Sequence, residues 1–345
     1  MRPIPGAGDF YSGEFALYVA SMEPLTIYCN AGTLAPARAL LEAGVGQHRL
    51  VMVEDVGLGG RGQPDPRLLD ADVALGQPAV GQVIASPRLR WVHLTTAGYT
   101  PYDRDDVRAA LLARGAALTK SSLVYDEPCA EQLLTYLCVE ARQLPAMLSI
   151  QQTTRAWPQL EFRRRSRLLR GQSVALVGFG SIARRLCELL APLQMPVVAI
   201  RRTVAGDEPV PTFAGDDPAA ARALGQADHV VDVLPGSPST ERFFDEARFA
   251  AMKPGAVFYN VGRGSTVDQE ALRAALLSGR LRAAYLDVTA PEPLPPDHPL
   301  WTVPRCYITP HTAGGHEDEP QRLVGHFLEN LRRFTARQAL LDRVI

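Results

Sequence analysis

Short apolar runs bounded by glycine or proline recur along this chain, and stretches of helical character lie between them. The runs have the look of strands buried on both faces, and the intervening stretches that of helices laid against a sheet. In the first half, Leu25–Cys29, Leu50–Val53, Asp72–Leu75, Leu89–Leu94 and Ala117–Lys120 predict strands. Helices are predicted over Ala35–Ala43 and Pro101–Arg114. A longer one over Glu127–Arg142 carries Leu133, Leu134, Leu137 and Cys138 on one stripe and is expected to connect two sheet-forming halves. Pro145–Leu169 breaks the rhythm. It resumes with strands over Val174–Val177, Pro196–Ile200, His229–Leu234, Ala256–Asn260, Ala284–Val288 and Arg305–Ile308. Helices over Ile182–Leu190 and Asp268–Leu277 accompany them, and a helical tail runs from Glu317 to Ala336. Strands alternating with helices in this way predict parallel α/β sheets.

With 345 residues the chain is long enough for two domains, each with its own core. Its 36 basic and 37 acidic residues balance, so no global field points to nucleic acid or a membrane. The cluster Arg163, Arg164, Arg165, Arg167 and Arg170 is isolated and reads as a solvated or subunit-contacting arm. Cys29, Cys129, Cys138, Cys187 and Cys306 are far apart in sequence and form no C-x-x-C pair. They are expected to be reduced packing residues, with no metal site. No apolar run approaches a membrane span, and no signal-peptide pattern opens the sequence, so a cytoplasmic location is expected. Residues 1–24 read as an extension ahead of the first element, with Met22 an alternative start.

The stretch from Ser173 to Ala183 organises the rest. The predicted strand Val174–Val177 ends at Gly178-Phe179-Gly180-Ser181-Ile182-Ala183, where a helix opens. The glycines allow a tight turn and close backbone approach, and the helix N-terminus offers N–H groups and a positive dipole end to a pyrophosphate. Three polar side chains fall just past predicted strand ends further on: Arg263, Glu292 and His311. Singly, each has an ordinary reading as a turn, a solvated loop or an exposed ring. Together on the carboxyl edge of one sheet they suit hydride transfer to a 2-keto acid. A guanidinium holds a carboxylate and polarises a carbonyl, an imidazole protonates the nascent alkoxide, and a carboxylate orients the imidazolium.

These motifs, with Leu234-Pro-Gly-Ser-Pro-Ser-Thr240, Asn260-Val-Gly-Arg-Gly264, Leu286-Asp-Val288, His298-Pro-Leu-Trp301 and Thr309-Pro-His311, resemble the D-isomer-specific 2-hydroxyacid dehydrogenases, glyoxylate/hydroxypyruvate reductases among them. The resemblance runs from about Leu25 to the C-terminus. It implies two doubly wound parallel-sheet domains: a Rossmann dinucleotide-binding domain over 125–316, and a flavodoxin-like substrate domain of 1–124 with 317–345, with a cleft between them. It also implies Arg263 as substrate-orienting cation, His311 as acid/base paired with Glu292, and Ala97, Gly98 and Tyr99 at the substrate. Leu234, Pro235, Thr240 and Val261 would line the cofactor, and Asp287 would hold the nicotinamide carboxamide. Such enzymes are usually homodimers, and Trp157 lies in the arm that reaches toward a partner.

One departure bears on the cofactor. Arg201-Arg202-Thr203 stands where NAD-specific members carry an acid for the ribose 2′-hydroxyl, so NADP(H) preference is expected, with NAD(H) possible. Two rivals remain: a dinucleotide-binding corepressor or sensor on the same fold, and a phosphite or formate dehydrogenase. The Arg263, Glu292 and His311 set disfavours the first, and Glu292 in place of glutamine disfavours formate.

Overall fold

A computed structural model describes residues 23–53 and 62–345. The predicted extension at 1–24 falls almost wholly outside the described residues. Two compact units result.

The first comprises the described residues up to Thr96, with Pro101–Ser121 and Pro320–Ile345. Its five strands are β1 (Thr26–Cys29), β2 (Arg49–Met52), β3 (Val73–Leu75), β4 (Trp91–His93) and β5 (Ala117–Thr119). All pair in parallel in the order β2-β1-β3-β4-β5, the doubly wound arrangement expected. Every residue of β3, β4 and β5 is buried, the polar His93 and Thr119 included. The helix Glu319–Thr335 returns to this unit, and Phe327 and Phe334 stack on Trp91 at 5.3 and 5.4 Å. Beyond it the chain pairs antiparallel with β5 through Thr119 and Arg343, covering what would otherwise be an open edge.

The second unit contains 97–100 and Ser122–Glu319. Its strands are β6 (Val174–Val177), β7 (Val197–Arg201), β8 (Thr212–Ala214), β9 (His229–Asp232), β10 (Ala256–Asn260), β11 (Leu281–Leu286) and β12 (Cys306–Ile308). They form one parallel sheet ordered β12-β11-β10-β9-β6-β7-β8. The order reverses at β6, so the carboxyl ends of β6 and β9 bound a switch point. Side chains alternate between two cores. Val174, Leu176, Val257 and Tyr259 face one, with Leu133, Leu137 and Leu186. Ala175, Val177, Ala256 and Phe258 face the other, with Phe244, Phe249 and Leu272.

Several expectations are corrected. The first helix is a 3-10 turn over Gly32–Ala37 followed by Arg38–Gly44, because Pro36 lies where a continuous helix would need its N–H. The long helix runs Ser122–Ala141 and packs within the second unit. Its buried residues are Val124, Cys129, Ala130, Leu133, Tyr136, Leu137, Glu140 and Ala141, while Cys138 is exposed. β9 stops at Asp232, two residues early, because the Asp232 carboxyl takes the Leu234 amide from the ladder at 2.9 Å. β11 begins earlier and ends at Leu286, leaving Asp287 and Val288 beyond it. The break at 145–169 holds two short helices, Leu144–Gln152 and Gln159–Arg165, in which no residue is buried. All five cysteines are free. Among the described residues no helix is long and apolar enough to cross a membrane.

Candidate active site

The turn after β6 is built as its composition suggests. Gly178 has φ +95°, and a Cβ there would meet the Val233 carbonyl oxygen at 2.8 Å, so only glycine fits. Gly180 precedes the helix Ser181–Leu190, whose first turn no side chain caps. A Cβ on Gly180 would meet nothing within 4 Å, leaving the backbone open to a close-lying anion. Ala183 is fully buried on the inner face of this helix, the small residue that close helix-on-sheet packing needs. Phe179 is buried, with the Arg184 guanidinium 5.2 Å from its ring centre, while Ser181 and Ile182 are half-buried. The donor set fits a dinucleotide pyrophosphate.

At the end of β7 the arginines are not equivalent. Arg201 Nη1 donates to Glu208 at 2.6 Å, and the same carboxylate accepts the Ala205 and Gly206 amides at 2.8 Å each. Those amides, with Arg201, hold the Glu208 carboxyl down to about 2. Arg202 and Thr203 are exposed. Nothing in the sequence pattern marked Glu208, which lies seven residues from its partner.

Past β9, Thr240 closes its own loop by donating to the Pro235 carbonyl at 2.6 Å. Val261 is buried at the end of β10, Leu234 is half-buried and Pro235 is exposed. A Cβ on Gly262 would meet the Leu234 carbonyl at 2.7 Å, so the two strand exits lie in contact. Arg263 follows, its guanidinium donating to the Gly262 carbonyl at 2.6 Å. The segment 97–100 groups with this unit: Gly98 lies against the Arg263 guanidinium so closely that a Cβ would collide with it. Thr100 donates to the Gly236 carbonyl at 3.3 Å. Ala97 and Tyr99 flank Gly98, half-buried.

His311 Nδ1 lies 2.9 Å from Glu292 Oε2, and Glu292 Oε1 accepts the Thr289 amide at 3.0 Å. The Glu292 hydrogen bond raises the imidazole above its ordinary value, against burial and the Arg263 charge. Burial pushes the Glu292 carboxyl up, but the His311 and Thr289 hydrogen bonds and the neighbouring cations bring it below the usual range. Burial pulls the Arg263 guanidinium down and Glu292 opposes it. Arg263, Glu292 and His311 therefore form one electrostatic group past the ends of adjacent strands β10, β11 and β12.

Asp287 does more than its expected place implied. Its Oδ1 accepts the Thr309 hydroxyl at 2.6 Å and the Thr312 amide at 2.9 Å, and Oδ2 accepts the Ala313 amide at 2.9 Å. Its carbonyl accepts the His311 amide at 2.8 Å. Tyr136 from the long helix reaches Thr309 at 2.6 Å. Asp287 thus braces the turn that carries His311. Among the described residues no His, Cys, Asp and Glu group is suited to a metal ion.

Residues 134–313 match the family described as D-isomer specific 2-hydroxyacid dehydrogenase, NAD binding domain. Mouse glyoxylate reductase/hydroxypyruvate reductase is 30% identical over 289 residues, covering 82% of this chain and 79% of its own. D-3-phosphoglycerate dehydrogenase of Mycobacterium tuberculosis is 31% identical over 265 residues, 75% of this chain but 48% of that longer protein. Among solved structures, a D-isomer specific 2-hydroxyacid dehydrogenase from Xanthobacter autotrophicus Py2, in complex with NADPH and MES, superposes with a TM-score of 0.78 at 26% identity. That match covers 94% of this chain and 98% of the other.

Proposed function

This chain belongs to the D-isomer specific 2-hydroxyacid dehydrogenase family, and we propose that it reduces a small 2-keto acid to the D-2-hydroxy acid, with NADPH preferred. The observation that carries the reading is the His311–Glu292 hydrogen bond beside the Arg263 guanidinium. Arg263 holds the substrate carboxylate and polarises its carbonyl, and the amides of Ala97 and Gly98 take the other carboxylate oxygen. His311, kept protonated by Glu292, gives its Nε2 proton to the alkoxide oxygen. A bound nicotinamide dinucleotide supplies the hydride. The turn Gly178–Ile182 holds its pyrophosphate, and Leu234, Pro235, Thr240 and Val261 line its path. Asp287 serves the carboxamide with whatever acceptor capacity the Thr309, Thr312 and Ala313 contacts leave it. The second unit is thus the nucleotide domain, and it also carries the 97–100 segment that takes the substrate carboxylate.

The cofactor preference rests on the β7 end. Glu208 neutralises Arg201, which then ties the loop, while the exposed Arg202 and Thr203 read the 2′-phosphate. The related mouse enzyme's name points to glyoxylate or hydroxypyruvate as the substrate class. The exposed apolar side chains Leu144, Leu148, Trp157, Leu160 and Leu168 on the arm suit a homodimer contact. Free cysteines throughout suit a cytoplasmic setting.

The test is a panel of 2-keto acids with NADPH and NADH, followed by absorbance. His311→Ala should lower kcat by about 10²–10⁴-fold while dinucleotide binding, read by fluorescence, persists. An intact binder that turns over none of the panel would favour the corepressor reading instead.

A further inference from the structure

The carboxyl group of Asp232, at the end of β9, is fully buried and has no part in the chemistry above. Strand pairing sets Val177 of β6 and Asn260 of β10 beside it, neither of them ionisable. The nearby cation Arg263 turns its guanidinium to the Gly262 carbonyl. Among the described residues two polar contacts to the Asp232 carboxyl remain: Oδ1 accepts the Leu234 amide at 2.9 Å, and Oδ2 lies 2.5 Å from Thr266 Oγ1.

Thr266 Oγ1 also lies 2.6 Å from the Arg263 carbonyl oxygen. A hydroxyl carries one proton. Facing an ionised carboxylate, Thr266 would have two acceptors for that proton, and one of its two short contacts would press lone pairs together. With a neutral acid every contact is satisfied. Oδ2–H donates to Thr266, Thr266 donates to the Arg263 carbonyl, and Oδ1 still accepts from Leu234. Burial favours the same form, pushing the carboxyl up to about 7 against the Thr266 and Leu234 hydrogen bonds. The Arg263 carbonyl is steadied further by Asn260 Nδ2 at 3.0 Å.

We propose that Asp232, as a neutral carboxylic acid, is a positioning residue that locks the Arg263 loop to the Leu234–Pro235 turn. The inference rests on the function proposed above, in which Arg263 holds the substrate. When the proton leaves, Thr266 must abandon one partner and a bare charge is buried, so the loop relaxes and substrate affinity falls.

The test uses the full chain in two arms. In the first, the KM of a turned-over 2-keto acid should rise about ten-fold between about pH 6 and pH 8.5. Asp232→Asn, whose amide accepts from Leu234 and donates to Thr266 without titrating, should rescue affinity and flatten that rise. Asp232→Leu and Thr266→Val should hold KM near the parent's high-pH value across the range, about ten-fold above the parent at about pH 6, with a smaller change in kcat. The second arm needs no turnover: in ¹³C-aspartate-labelled protein, one carboxyl resonance should titrate near pH 7 and be absent from Asp232→Asn. A carboxyl already ionised at about pH 6, or an Asn variant with the parental rise in KM, overturns the proposal. If no keto acid is turned over, the proposed reaction fails, while the resonance still decides the state of Asp232.

Discussion

His311, the proposed acid, has its backbone in the left-handed region, φ +53°, and its N–H donates to the Asp287 carbonyl. A non-glycine residue there is under local strain, which is tolerated where the surroundings fix it. Its raised pKa gives the sign of the pH dependence. The imidazolium is present below that value, so reductive kcat/KM should fall as pH rises through it, while oxidation of the hydroxy acid should rise. Glu292→Gln removes the chief cause and should shift the alkaline limb toward lower pH, read from pH–rate profiles of parent and variant. At the β7 end, Arg202→Ala should reduce the NADPH-to-NADH ratio of kcat/KM by about ten-fold, the worth of one charged hydrogen bond. An unchanged ratio would return the selectivity to Arg201. The residue types were legible in the sequence. That Glu208 occupies Arg201 was not, because an ion pair across a loop leaves no periodic mark.

At the scale of the element, strands came through more clearly than helices. Buried parallel strands such as Ala256–Asn260 are continuous apolar runs, and that one was delimited residue for residue. The short edge strand Thr212–Ala214 and the helices Val80–Ala85, Pro218–Gln226 and Glu246–Ala251 leave no clear signal along the chain, since each is brief and little of it is buried. The tail helix Glu319–Thr335 was expected, but not that its Phe327 would lie flat on Trp91, the rings 10° apart. Both residues are fully buried. Phe327→Ala should therefore cost about 3–5 kcal/mol, visible as a lower urea midpoint at unchanged slope. A loss under about 1 kcal/mol would mean that the stack contributes little beyond its place in the chain.

At the scale of the whole molecule, the arm at 144–168 is where the proposed dimer contact is tested. Leu148, Trp157, Leu160 and Leu168 are 48%, 90%, 65% and 74% exposed, Leu148 and Leu160 on two helices that bury nothing and Trp157 and Leu168 in the segments beside them. If they form the proposed dimer contact, Leu148→Asp with Leu160→Asp should yield a monomer in sedimentation velocity at micromolar concentration. A parent that already sediments as a monomer would count against that contact. Arg163, Arg164 and Arg165 of the same arm lie in the last turn of a helix and complement its negative end.

The sequence by itself determined the two parallel sheets, the glycine turn, and the three polar residues past strand ends, because periodicity, glycine and strand-end position are local properties. The tertiary structure alone decided which oxygen receives which proton. It set Asp232 against Thr266, Glu208 against Arg201 and Asp287 beneath the His311 turn, pairings made by the register of neighbouring strands and by contacts across loops. Such contacts join residues that are distant in sequence or follow no period, so no pattern along the chain announces them.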